Sequence, residues 1–164
     1  RVIWEPHPFR MFKFRSMRHG ADQGVHEAYI KAFVAGNLAA NDADGKPKFK
    51  MSTDSRITRM GHFIRKTSLD ELPQLLNILL GEMSLVGPRP VPGYEVALYK
   101  DEHYVRLMAL PGLTGLWQVK GRGEVTFEEM MKLDLEYVRN QSVKLDIWIL
   151  VMTIPAAVFG WGAV

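Results

Sequence analysis

The 164-residue chain has no cysteine, which removes disulfides, thiolate metal sites and a cysteine nucleophile together and fits a reducing compartment. It has no internal repeat and no low-complexity stretch, so neither a solenoid nor a disordered tail accounts for it. Its five histidines (His7, His19, His26, His62, His103) show no metal-ligand spacing and read as surface or locally satisfied residues. Charge of one sign is scarce too: 21 basic against 18 acidic residues leave a net +3. No signal peptide is visible, and the first residue is Arg1 rather than Met; the expectation is a piece of a longer protein whose missing start carried any anchor. What is present is 47% hydrophobic and 24% charged, the balance of a globular domain. A single domain over 1–164 is expected, burying roughly two-thirds of its unfolded surface.

Charge is uneven along the chain. Residues 1–20 hold Arg1, Arg10, Lys13, Arg15 and Arg18 against Glu5 alone. Such a block suits anionic lipid, a phosphorylated substrate or nucleic acid, or is simply a solvated face. Phe12 and Phe14 alternate with Lys13 and Arg15, predicting a strand over 9–16, and 116–119 is a second candidate strand. Residues 25–39 read as a weak helix and 41–50 as a loop around Asp44-Gly45 and Pro47. The strongest helical pattern covers 70–80, where Leu72, Leu75, Leu76, Leu79 and Leu80 recur at helical spacing before Gly81. Residues 87–93, with three prolines between two glycines, exclude helix and central strand. A further helix is expected over 127–139, opened by the capping box Thr126-x-x-Glu129.

The last eighteen residues, 147–164, carry no charge. That is the lower limit for a membrane span, and Pro155, Gly160 and Gly162 interrupt it. A helix lying in a membrane interface, with Trp148 and Trp161 at headgroup level, suits it better; a buried core helix is the alternative.

Asp70 and Glu71 stand together at the start of the strongest helix. In one reading Ser68-x-x-Glu71 is a capping box, with the acids complementing a helix dipole. In the other, Arg56, Arg59, Arg65, Lys66 and Arg89 bracket the pair. An ionised carboxylate beside guanidinium groups is what attack on a phosphoryl group needs, and a second carboxylate can hold a divalent metal. A nucleic-acid surface would instead keep its arginines away from acids and add aromatic platforms.

The run 56–90 (RITRMGHFIRKTSLDELPQLLNILLGEMSLVGPRP) resembles the bacterial sugar transferases that act on polyprenyl phosphate, the monotopic phosphoglycosyl transferases. So do KFRSM (13–17), LPGLTGLWQVKGR (110–122), LDLEYVRNQS (133–142) and LDIWILVMTI (145–154), in the family's order. Residues 3–8, where the family has a glycine-bearing turn, and 20–50 depart most.

The resemblance implies a compact, mostly α catalytic domain with a small β element, associated with one membrane leaflet and missing the family's upstream membrane helix. It implies transfer of a sugar 1-phosphate from a UDP-sugar to undecaprenyl phosphate with release of UMP, at the cytoplasmic face of a bacterial inner membrane, initiating surface glycan synthesis. Asp70 maps onto the family's nucleophile and Glu71 onto a Mg2+ ligand. Arg89, in Pro88-Arg89-Pro90, maps onto a phosphate clamp, and Arg65 onto an arginine near the phosphate. Gln118 and Arg122 are implied to border the nucleotide. Asp146 is a further candidate, with a helix N-cap as its alternative role. Gly112 and Gly115 are expected to make turns and Trp117 to pack. Self-association stays open, and no nucleic-acid partner is implied. The competing readings are a non-catalytic basic membrane-surface or nucleic-acid module, and an inactive family member, which should have lost Asp70, Glu71 or Arg89.

Overall fold

The computed structural model describes residues 7–37, 54–121 and 125–159. Arg122, the 41–50 loop and Trp161 lie outside these. Seven helices, α1 (Gly24–Val34), α2 (Arg59–Lys66), α3 (Gln74–Leu79), α4 (Gly93–Val96), α5 (Leu116–Gly121), α6 (Phe127–Arg139) and α7 (Val143–Phe159), surround two short strands, β1 (Ser84–Val86) and β2 (Gly112–Thr114), among the described residues. Two 3-10 segments, Leu69–Glu71 and Asp101–Met108, complete the order. The class is mostly α with a small β element, as the resemblance implied.

The β element is not where the alternation put it. β1 and β2 pair in parallel, Ser84 opposite Gly112 and Val86 opposite Thr114. Residues 9–16 run extended without a ladder, ending in one antiparallel bridge between Met17 and Ile57. Their backbone groups are taken up by side chains and turns instead. Residues 116–119 belong to α5, because Leu116, Trp117 and Val119 are all buried among helices.

α6 forms as expected. Thr126 Oγ1 accepts from Glu129 N at 3.2 Å, and Glu129 Oε2 accepts from Thr126 N at 2.9 Å. The helix sits between two apolar clusters. Met130 and Met131 join Phe33, Tyr99, Trp117, Val125 and Phe127; Tyr137 joins Val86, Leu116, Val119 and Ile149. α7 lays Ile149 on the second cluster and leaves Val143, Ile147, Trp148, Val151 and Ile154 exposed. No helix of the described residues is long and apolar enough to cross a membrane.

The helix expected over 70–80 is broken. Pro73 has no N–H to continue a ladder, so Leu69–Glu71 is a 3-10 turn and α3 starts at Gln74. Its polarity is inverted as well. Gln74 and Asn77 are buried, whereas Leu72, Leu75, Leu76, Leu79 and Leu80 are exposed, Leu79 by 82%. Gly81, at φ +78, ends the helix in the left-handed region, as glycine does at this position.

The turns expected at Gly112 and Gly115 do not form: Gly112 opens β2, and Gly115 links β2 to α5. A Cβ on Gly112 would fall 2.1 Å from Gly87 N, and one on Gly115 2.4 Å from Gly87 O. Both are glycine because the 87–89 turn passes against β2.

Candidate active site

The site is built from three chain segments. The first is residues 10–16, a strap held along its length. The buried Asn77 side chain accepts from Phe12 N at 2.9 Å and donates to Arg10 O at 2.9 Å. Phe14 N donates to Asp70 O at 3.0 Å, and Ser16 O accepts from Thr58 N at 3.0 Å. Gly61 lets the strap lie against α2, since a Cβ there would be 2.0 Å from Ser16 O. Asn77 therefore gives up apolar burial in α3 for two long-range hydrogen bonds, each worth about 1 kcal/mol net.

The second segment is the 69–71 turn. Ser68 takes a left-handed φ of 55° and makes no side-chain cap bond. The capping-box reading of Ser68 and Glu71 is thereby overturned: the Glu71 carboxylate turns to cationic side chains instead. Because α3 is short and begins after the dyad, little helix dipole is available to Asp70, and the compensating charge comes from side chains.

The third segment follows β1. Gly87 N donates to Thr114 O at 2.9 Å and Gly112 N to Pro88 O at 2.8 Å. This anchors the turn that carries Arg89.

Four charged groups meet where these segments converge. Lys13 Nζ is 3.0 Å from Asp70 Oδ2 and 3.1 Å from Glu71 Oε1, and Arg89 Nη2 is 3.0 Å from the same Glu71 oxygen. The Asp70 side chain is 4% exposed, Glu71 17% and Arg89 20%. Asp70 is thus almost sealed from solvent, whereas Glu71 and both cations keep part of their exposure.

The remaining expected residues fall into different places. Arg65 Nε donates to Ser16 Oγ at 2.8 Å, so its recorded role is to tie α2 to the strap. Gln118 Oε1 is buried with no hydrogen-bond partner among the described residues, close to Gly115 and hence to the 87–89 turn. Asp146 lies in the first turn of α7 rather than at its cap. Its Oδ1 is 2.9 Å from Tyr137 Oη, which also reaches Val86 O at 3.1 Å. Burial first, then the Asp146 carboxylate, push the Tyr137 hydroxyl up to about 12. This knot holds α6, α7 and the end of β1 together. His103 is buried and accepts locally from Lys100 N, and His26 pairs with Tyr94 Oη, in line with their reading as satisfied residues.

Two features had no counterpart in the sequence reading. Lys13 stood in a basic block whose members looked alike; only the strap distinguishes it. The other is a buried ionic cluster behind Arg89. Arg106 Nε is 2.9 Å from Asp134 Oδ2, and Nη1 is 3.4 Å from Glu95 Oε1 and bonds Tyr99 Oη. Its Nη2 donates to Arg89 O at 3.1 Å. One guanidinium serves two buried carboxylates, and desolvation raises both; Asp134 is pushed up to about 6. The cluster fixes the backbone of Arg89 from behind.

Two carboxylate oxygens aimed at one cationic nitrogen form a hard, oxygen-only donor set, which fits a magnesium ion completed by water and phosphate oxygens. Among the described residues no group of three or more acidic or histidine side chains is gathered as a metal cage.

Comparison with known proteins follows the same lines. The family model described as bacterial sugar transferase matches residues 1–160. The chain is 43% identical over 156 residues to the galactosyl transferase CpsE of Streptococcus agalactiae serotype III, covering 94% of this chain and 32% of that protein. It is 46% identical over 149 residues to the undecaprenyl-phosphate galactose phosphotransferase of Salmonella typhimurium, covering 88% and 29%. With the exopolysaccharide production protein ExoY of Sinorhizobium fredii it shares 43% identity over 155 residues, covering 94% and 66%. The chain thus spans about a third of the first two relatives. With the model matching nearly its whole length, the chain belongs to the bacterial sugar transferase family.

Proposed function

We propose that this chain catalyses transfer of a sugar 1-phosphate from a UDP-sugar to undecaprenyl phosphate. The observation that carries this reading is the convergence of Lys13, Asp70, Glu71 and Arg89 from three segments. An acidic pair held by an ammonium and a guanidinium is suited to meet a diphosphate, because the cations offset repulsion between anions.

Asp70 attacks the β-phosphorus of the UDP-sugar. The bond from that phosphorus to the bridging oxygen breaks, and UMP leaves with the electron pair. The sugar phosphate stays on Asp70 as an acyl phosphate. A phosphate oxygen of undecaprenyl phosphate then attacks the same phosphorus, and the Asp70 carboxylate departs. No general base is needed, since the acceptor phosphate is already ionised near neutral pH. Arg89 binds phosphate oxygens with the guanidinium edge that Glu71 leaves free. Magnesium, with Glu71 as its protein ligand, would supply charge neutralisation of the phosphate oxygens. Gln118, with a buried acceptor beside the 87–89 turn, suits a contact to the nucleotide.

The lipid acceptor calls for a membrane surface. The exposed leucines of 72–80, Met60 and Phe63 of α2, and the outer face of α7 with Trp148 are apolar areas of the kind that enter a bilayer interface. Arg10, Arg15, Arg18, Arg59 and Lys66 are exposed for anionic headgroups. The expected place is the cytoplasmic face of a bacterial inner membrane.

The test is intact-protein mass spectrometry after mixing with UDP-galactose or UDP-glucose alone. An adduct of one sugar phosphate is expected, absent in Asp70→Asn, with parallel lines in two-substrate kinetics. Intersecting lines with no adduct at any quench time would replace the covalent route by direct transfer. EDTA should abolish turnover and magnesium restore it. Arg89→Lys should lower kcat/KM by roughly 2–3 kcal/mol, since a point ammonium cannot hold two oxygens from this turn.

A further inference from the structure

Lys13 occupies the position that the dyad offers to a cation. Its Nζ lies 3.0 and 3.1 Å from one oxygen of each carboxylate, and the side chain is 28% exposed. The placement is built rather than incidental. Phe12 N is fixed by Asn77 Oδ1 and Phe14 N by Asp70 O, so both neighbours of Lys13 are pinned while its own side chain is left to reach the dyad. Asn77 is wholly buried and divides its side-chain amide between this strap and Glu82.

We propose that Lys13 is the resident cation of the Asp70–Glu71 pair, and that a divalent metal ion must displace its ammonium to bind there. The inference rests on the reading of Glu71 as the metal's protein ligand, beside Asp70. It adds that ammonium and metal are mutually exclusive occupants of the same oxygens. Before loading, Lys13 and Arg89 match Asp70 and Glu71 in formal charge, and the two carboxylates are held together without mutual repulsion. On exchange, the flexible four-carbon stem lets the ammonium swing outward while the strap stays fixed. The freed ammonium then adds to the metal's charge and faces the incoming diphosphate. Substrate thus meets a strongly cationic site only when the metal is in place.

The test reads metal binding without turnover. Mn2+ is titrated into the protein by electron paramagnetic resonance, with no nucleotide or lipid, for wild type, Lys13→Met, Lys13→Arg and Glu71→Gln, each with a thermal melt. Lys13→Gln stands in should the Met variant not fold. Removing the ammonium should tighten Mn2+ binding by about tenfold, the scale of one unit charge at contact distance in a partly exposed site. Lys13→Arg, which keeps the charge, should stay near wild type, and Glu71→Gln should bind about tenfold more weakly. Turnover of Lys13→Met should fall despite its tighter metal binding.

Equal or weaker Mn2+ binding in Lys13→Met, with binding still lost in Glu71→Gln, would overturn the exclusion while leaving the dyad as the metal site. Tightening as large in Lys13→Arg as in Lys13→Met would overturn it too, since charge would not be the cause. Wild-type Mn2+ binding in Glu71→Gln would move the metal away from the dyad, and both readings would fall.

Discussion

Residues 69–80 and α6 carry similar apolar periodicity and face water in opposite ways. α6 turns Phe127, Met130 and Met131 inward, its capping box closes, and its polar face is solvated. The 69–80 stretch turns its leucines outward and its amides inward, and its apparent capping box does not close. The difference lies in what each element must hold. α6 fills the space between two clusters and turns one buried carboxylate, Asp134, to Arg106. The 69–80 stretch must grip the strap with Asn77 and present two carboxylates to Lys13 and Arg89, so its inner face is polar by necessity. Apolar periodicity therefore locates an amphipathic element without saying which solvent its apolar face meets.

Substitutions can sharpen that contrast. The largest effect is expected at the centre of the buried cluster that joins α6 to the Arg89 turn. Arg106→Met leaves Glu95 and Asp134 buried without their cation and should cost about 3–5 kcal/mol in urea unfolding. Should the variant retain its midpoint, the cluster would not bear on stability.

Truncation of matched apolar side chains comes next. Met130→Ala, at a position with no exposure, should cost about 2–5 kcal/mol. Leu79→Ala should change stability by less than about 0.5 kcal/mol, yet weaken partition onto anionic vesicles by roughly 1 kcal/mol. A stability loss at Leu79 equal to that at Met130 would break the distinction between the two elements.

Asn77→Ala removes two of the strap's anchors and strands Phe12 N and Arg10 O. A loss of about 1–3 kcal/mol is expected in unfolding. Amide exchange should rise at Phe12 and Phe14 while α6 keeps its protection; uniform loosening would mean the strap is not a separate unit.

The smallest effect is in pH. Asp134, with its pKa raised from 3.8 to about 6 by burial, holds its proton longer folded than unfolded. Its contribution favours the fold at low pH and is lost as pH rises from about 4 through 6. Glu95→Gln leaves Asp134 as the single carboxylate facing Arg106, which should lower its pKa and flatten that part of the Tm-against-pH curve. An unchanged slope would assign the titration elsewhere.

The sequence by itself determined the family, the span and cap of α6 and the stop at Gly81, and it singled out Asp70, Glu71 and Arg89 as candidates. Each is a local signal: an adjacent acidic pair, a Pro-flanked arginine, a Thr-x-x-Glu box, a left-handed glycine. It also located the apolar stretches of 70–80 and 147–154. The tertiary structure alone decided which of the N-terminal cations reaches the dyad, and that residues 9–16 form a strap rather than a strand. It alone paired 84–86 with 112–114 and drew Arg106, Glu95 and Asp134 behind Arg89. These depend on contacts between residues far apart in the chain, up to 67 positions for Asn77 and Arg10. Backbone hydrogen-bonding groups and buried charges must find partners wherever the fold supplies them, and periodicity in a short window does not contain that information.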